Sequence, residues 1–260
     1  MRSSVAVGER PRAFVRVAGP QALDYLQRMV SNDVEALAVG GSCDALLLTP
    51  KARLIAPLRV WRRSETDFLL LTEPGLGEKV RAHLVQFRFA ASAEIELEEH
   101  TSAVVFGEAD GIPTDEFGEP AVEVLDAGYE PTLAGEELER LRVGAGTPAW
   151  GKELDDRVLP AEAGLVERAV SLTKGCYPGQ EPVARLHFRG HANRGLRRLR
   201  IETDATPAYD AEVEHDGKVV GRVTSAVSAD GGVWALAYVR AEVPEDAGLT
   251  VGGAAARPLH

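Results

Sequence analysis

The chain has 260 residues, 45% of them hydrophobic and 27% charged, with a formal net charge of −11. That length gives one large domain or two unequal ones, and so ordinary a composition excludes disorder, collagen and coiled coil. No apolar run approaches the roughly 20 residues that span a bilayer, and the acidic balance speaks against a general nucleic-acid binder.

The N-terminal stretch 1–16 carries Arg2, Arg10, Arg12 and Arg16 but no continuous apolar segment, so it does not read as a secretory signal. Residues 20–34 predict a helix, with Leu23, Leu26 and Val30 at helical spacing and Ser31, Asn32 and Asp33 stopping it. Strands are expected at 44–49, 53–61 and 67–72, the last two joined through the polar turn 62–66. Leu76, Val80, Leu84 and Phe87 mark a second amphipathic helix, followed by alternating segments at 93–98 and 103–107. This order favours an α+β fold with a largely antiparallel sheet.

Residues 110–120, rich in Gly, Pro and acids, read as a surface loop. A short charged helix is expected at 136–143, with Leu138 and Leu141 inward, and then an ordered loop over 144–164. From Leu196 the texture changes to strands at 196–202, 212–215, 218–224 and 233–240. Asp216-Gly217 and Gly231-Gly232 supply the hairpin turns. The chain therefore divides near Gly195 into a unit over 1–194 and a small all-β unit over 195–260.

Chemistry concentrates in 171–194, SLTKGCYPGQEPVARLHFRGHANR. Cys176 sits between Gly175 and Tyr177, two residues after Lys174, so its backbone is free to turn sharply. A helix starting at Gln180 would point its N-terminus at Cys176, and Pro182 suits a first helical turn. The helix dipole and a nearby ammonium both favour the reactive thiolate, although the same turn would equally house an inert structural cysteine. Cys43, opening a hydrophobic strand, reads as a cysteine at the edge of the core. Two cysteines make no disulfide framework, which points to a reducing, cytoplasmic setting. No clustered Cys/His spacing supports a metal site, and no phosphate loop, dinucleotide fingerprint or nucleophile elbow is present. Residues 185–200 hold six arginines, two histidines and no acid, a local basic stretch in an acidic protein.

The octet 174–181, KGCYPGQE, followed by Arg185 and Gly190, resembles the signature of the YgfZ-type folate-binding proteins, relatives of the glycine-cleavage T-protein. Segments 26–34 (LQRMVSNDV), 46–58 (LLLTPKARLIAPL), 142–148 and 159–165 (LPAEAGL) resemble that family in order, so the likeness spans nearly the whole chain. It implies an α+β, aminomethyltransferase-like folate-binding domain with mixed and antiparallel sheets around a central cavity, plus a C-terminal β-barrel. Tetrahydrofolate or a derivative is the implied cofactor. The implied role is accessory, in making or repairing iron–sulfur client enzymes, including tRNA-modifying ones. Cys176 would be the functional thiol, with Lys174 beside it.

A glutamate at position 162 matches the residue that the T-protein family uses for the pterin, whose amino group and ring N–H suit a carboxylate. Arg185 is placed for folate's carboxylate tail, Tyr177 for stacking, and Asn32 and Asp33 for lining the cavity. Two departures stand out. The family's Lys-Gly-Arg turn is Lys51-Ala52-Arg53 here, which leads one to expect a less sharp turn. Pro57 stands near where the transferases carry a catalytic aspartate, which argues against aminomethyl transfer. A folate-dependent one-carbon transferase and an RNA-associated module using the basic stretch are the alternative readings.

Overall fold

The structure, a computed structural model, describes residues 5–259; Arg2 of the N-terminal stretch lies outside the described residues. The chain opens with β1 (Ala6–Glu9), β2 (Ala13–Ala18) and α1 (Ala22–Met29). Next come β3 (Ser42–Leu48), β4 (Leu54–Arg62), β5 (Asp67–Thr72) and α2 (Gly77–Gln86). The first part continues through β6 (Glu94–Glu98), β7 (Ser102–Phe106), β8 (Ile112–Thr114), β9 (Ala121–Leu125) and α3 (Gly135–Ala145). Two helices follow, α4 (Val166–Ala169) and α5 (Gln180–Arg189). The remaining strands are β10 (Arg194–Ile201), β11 (Glu212–His215), β12 (Lys218–Ala229), β13 (Gly232–Arg240), β14 (Leu249–Val251) and β15 (Ala254–Pro258).

These strands form a five-stranded sheet ordered β3-β4-β5-β2-β6, a four-stranded sheet ordered β1-β7-β9-β8, and a closed barrel ordered β10-β13-β12-β11-β14-β15. Every named pairing is antiparallel, as neighbours joined by short turns prefer. The fold is therefore α+β, with a C-terminal β-barrel.

The five-stranded sheet is covered on both faces. One carries Val15, Val17, Leu47, Leu58, Val60, Phe68 and Leu70 against Tyr25, Leu26 and Met29 of α1 and Val80 and Leu84 of α2. The other packs Leu46, Leu48 and Leu54 against Leu154, Leu165, Val166, Tyr177 and Val183. Two buried faces explain why β3 and β5 read as the runs ALLL and FLLL rather than as alternation.

Several expected elements change. The helix expected over 20–34 is shorter, because Val30 turns extended to pair with Leu47. Region 110–120 is not simply a surface loop: β8 pairs with β9, and Ile112 and Phe117 are buried. Its Gly, Pro and acidic residues masked one short edge strand. Strands β1, β2, β9, β14 and β15 were not legible as such, being short or lacking a flanking turn signal. Strand β12 runs on to Ala229 through a bulge between Val223 and Ser225. Asp216 and Gly217 both take positive φ, +50° and +71°, as a two-residue turn between β11 and β12 requires.

Candidate functional site

The turn bearing the octet is held at both ends by neighbouring structure. Gly179, with φ +86°, caps α5; a Cβ there would lie 2.7 Å from the Thr49 carbonyl oxygen. The octet thus docks on the β3–β4 hairpin turn, a closeness only glycine permits. That hairpin is not loosened by its alanine. Ala52 takes φ +57° and its N–H donates to Thr49 O at 2.9 Å, so the sharp left-handed turn is kept at the strain cost of a Cβ.

At the other end, Lys174 is buried and its Nζ donates to the carbonyls of Val30 (2.8 Å) and Asn32 (2.6 Å) just beyond α1. Burial pushes the ammonium down to about 8, against the pull of Asp33. Its Nζ lies 5.5 Å from the Tyr177 ring centre. Tyr177 is itself buried, its hydroxyl has no hydrogen-bond partner, and burial pushes it up to about 12. Cys176, between them, is exposed. Cys43 contrasts with it: burial, then the neighbouring Asp44, pushes that thiol up to about 12 and keeps it protonated.

Asn32 and Asp33 are engaged locally. Asn32 donates to Asp44 O at 2.7 Å, and Asp33 accepts from Gln27 at 2.9 Å. Glu162 is buried at the seam with the barrel, where its Oε2 pairs with Arg194 at 3.1 Å and its carbonyl accepts from Leu196 N. Its Oε1 makes no hydrogen bond within the described residues. Arg185 is exposed on α5 and has no partner among the described residues. The basic stretch therefore divides. Arg194 pairs with Glu162, while Arg197, Arg198 and Arg200 donate to the backbone carbonyls of Pro244, Gly144 and Gly231. Arg185 and Arg189 stay exposed.

Between the two sheets lies a cavity of about 70 Å³, room for a few waters at roughly 10–15 Å³ each. Its charged walls are Arg12, Asp44, Arg59, Glu73, Glu116 and Arg168; Cys176, Glu162 and Arg185 are not among its lining residues. Arg10 and Arg12 both pair with Glu73 and Glu116 at 2.5–3.2 Å, and Arg12 also pairs with Glu123 at 3.0 Å. Asp44 receives Arg59 at 2.7 Å and Arg168 at 2.8 Å, and Arg168 reaches out to Asp115 at 2.8 Å. Burial works against the Glu116 charge, but Arg12 and Arg10 override it and hold that carboxyl at about 2. Sequence reasoning missed this cluster. Its signal was a charge inside an apolar strand, Asp44 before ALLL and Arg59 between Leu58 and Val60, since buried charges must find partners. Pro57 lines the same cavity, so the wall carries no side-chain proton acceptor at that position.

Two antiparallel sheets about a charged cavity, followed by a closed barrel, define an aminomethyltransferase-like fold. The glycine cleavage system aminomethyltransferase T of Bartonella henselae superposes with a TM-score of 0.86 over 100% of this chain and 86% of that one, at 19% identity. In sequence, the chain is 27% identical over 234 residues to an uncharacterized protein of Haemophilus influenzae, covering 85% of this chain and 84% of that one. It is likewise 27% identical over 288 residues to the tRNA-modifying protein YgfZ of Edwardsiella ictaluri, covering 91% and 85% of the two chains. No protein-family model matches. In sequence the chain is similar to YgfZ-type proteins, and its fold is that of the glycine-cleavage aminomethyltransferase.

Proposed function

We propose that this protein binds a reduced folate and serves, as a non-transferase accessory factor, the synthesis or repair of iron–sulfur enzymes, including those that modify tRNA, with Cys176 as its functional thiol. One observation carries the non-transferase part: each acid on the cavity wall, Asp44, Glu73 and Glu116, is already paired with arginine. Their carboxylate oxygens are already engaged by guanidinium groups, and Pro57 offers no side-chain acceptor. The cavity therefore lacks the general base that aminomethyl transfer needs.

The residues fit a folate by their polar atoms. Glu162 Oε1 and the Tyr177 hydroxyl are unpartnered acceptors or donors, and Arg185 is a free guanidinium able to hold a tail carboxylate bidentately. A bound reduced folate would supply one-carbon or reducing chemistry. The chain's own residues would orient it and keep Cys176 at the surface turn. None of Glu162, Tyr177 and Arg185 lines the 70 Å³ central cavity, so a folate reaching both them and the cavity requires side chains to part. The exposed end of the ion-pair cluster, Arg168–Asp115, is the cheapest place to begin.

The reading also divides the chain into a folate-binding domain, 1–194, and a barrel domain, 195–260. The separate apolar core of Leu199, Val213, Val223, Val239 and Leu249 supports that division.

Calorimetric titration of tetrahydrofolate into the intact protein tests the cofactor, and absence of binding removes it. Cys176→Ser is expected to leave a cluster-enzyme defect unrescued; rescue equal to wild type removes the thiol role.

A further inference from the structure

Beyond the central cavity, a groove of about 560 Å³ opens on the helical side of the five-stranded sheet. That volume lies within the range of sites for small ligands. The groove shares no lining residue with the central cavity. Its floor is Tyr25 and Met29 of α1, and its sides are Pro50 and Pro178. Pro178 follows Cys176 by two residues, so the groove abuts the octet turn.

Aromatic rings and cations line it without any carboxylate. Phe87 and Phe89 stand edge to face, 6.3 Å between centres, and His83 lies 4.7 Å from Phe87. Burial, then the charge of Lys79, lowers His83, so the imidazole is a neutral flat ring at neutral pH. Phe89 is 85% exposed and takes φ +49°, a left-handed conformation that bulky side chains rarely adopt. A strained backbone holding a large ring in water is a cost that packing does not explain. Arg88 spends one N–H on Ala93 O and has no acidic partner among the described residues. Arg28 pairs only with Asp24, an exposed i,i+4 pair that is cheap to give up. Gln21 Oε1 accepts from Ser92 N at 2.6 Å, which leaves its amide N–H groups to donate.

We propose that this groove is a second ligand site and takes a nucleotide, its base packed on Phe87 and Phe89 and its phosphate held by Arg88 and Arg28. The aromatic surface selects a flat heterocycle, and a wall of donors without carboxylates selects an anion. The nucleotide comes either as a free mononucleotide or as an unpaired residue of an RNA strand; both present the same base and phosphate.

The test titrates the full-length protein with AMP, with a 5′-phosphorylated five-residue oligoribonucleotide and with inorganic phosphate. Saturable binding of AMP or of the oligonucleotide, weakened about tenfold by Phe89→Ala and by Arg88→Glu or Arg28→Glu, supports the site. Binding of both ligands identifies the free nucleotide as sufficient; binding of the oligonucleotide alone identifies the RNA strand. No saturable binding of either up to millimolar concentration overturns the proposal. So does unchanged affinity in variants whose thermal melts match wild type, or equal affinity for inorganic phosphate. The same variants are expected to keep wild-type tetrahydrofolate affinity. If they lose it, the groove is the folate's own site and the second site falls; if wild type binds nucleotide but no folate, only the cofactor reading falls.

Discussion

The central cavity and the helical groove both carry arginines, and they use them in opposite ways. Around the cavity, Arg10, Arg12, Arg59 and Arg168 are matched by Glu73, Glu116, Glu123, Asp44 and Asp115, and little free space remains. In the groove, Arg88 has no acidic partner and Arg28 only an exposed one, beside rings that face water. Pairing, rather than the presence of charge, separates a cluster that holds two sheets together from a surface that awaits an anion.

The largest break in that comparison is expected from Glu116→Gln. It removes one of three carboxylates around the buried Arg12, which keeps Glu73 and Glu123, and is expected to cost about 2–3 kcal/mol in urea unfolding. Because the carboxyl is held at about 2, its contribution is complete above the ordinary range near 4.5 and is lost as pH falls toward 2. Wild type should therefore lose stability steeply in that acid window, and the variant should lose less; equal acid slopes would contradict the pairing.

Lys174→Met should cost about 1–3 kcal/mol by leaving the Val30 and Asn32 carbonyls unpartnered. Its pH signature has the same sign but lies in an alkaline window. With the folded amine at about 8 and the unfolded one at 10.5, the unfolded chain binds more protons between those values. Stability of the wild type relative to the variant should therefore rise with pH across that window. Unfolding curves at pH 7 and 9.5 for both proteins measure it.

Smaller effects test the edges. Asp115→Ala removes an exposed pair and should change stability by less than about 1 kcal/mol. It should raise tetrahydrofolate affinity severalfold, if parting of Arg168 and Asp115 is what admits the ligand; an unchanged calorimetric isotherm would refute that gate. Phe89→Gly relieves the left-handed strain and should stabilise by up to about 1 kcal/mol, read as a raised melting temperature. A loss of stability would mean the ring is packed, contrary to the groove's openness.

Much of the fold was legible. Segment 67–72 and segment 212–215 match β5 and β11 at both ends, because a polar turn or an Asp-Gly pair flanks each. Strand β8 was not legible, since its burial comes from β9 and from a sheet the local sequence does not encode. The octet announced itself through spacing, and its lysine, tyrosine and capping glycine do form one tightly held turn. The charged cavity did not. Arg12, Glu73 and Glu116 are scattered over more than a hundred positions, and only sheet packing brings them together.

The sequence by itself determined the fold class, four of the six barrel strands with their turns, and the turn that presents Cys176. All of these rest on short-range patterns: hydrophobic periodicity, positive-φ residues and capping. Only the tertiary structure determined which arginines of an acidic chain are neutralised and which remain free. Ion pairing depends on through-space distance and shared burial, and the linear order of charges records neither. The −11 balance is thus compatible with one cavity whose charges are paired and with one groove lined by cations and aromatic rings.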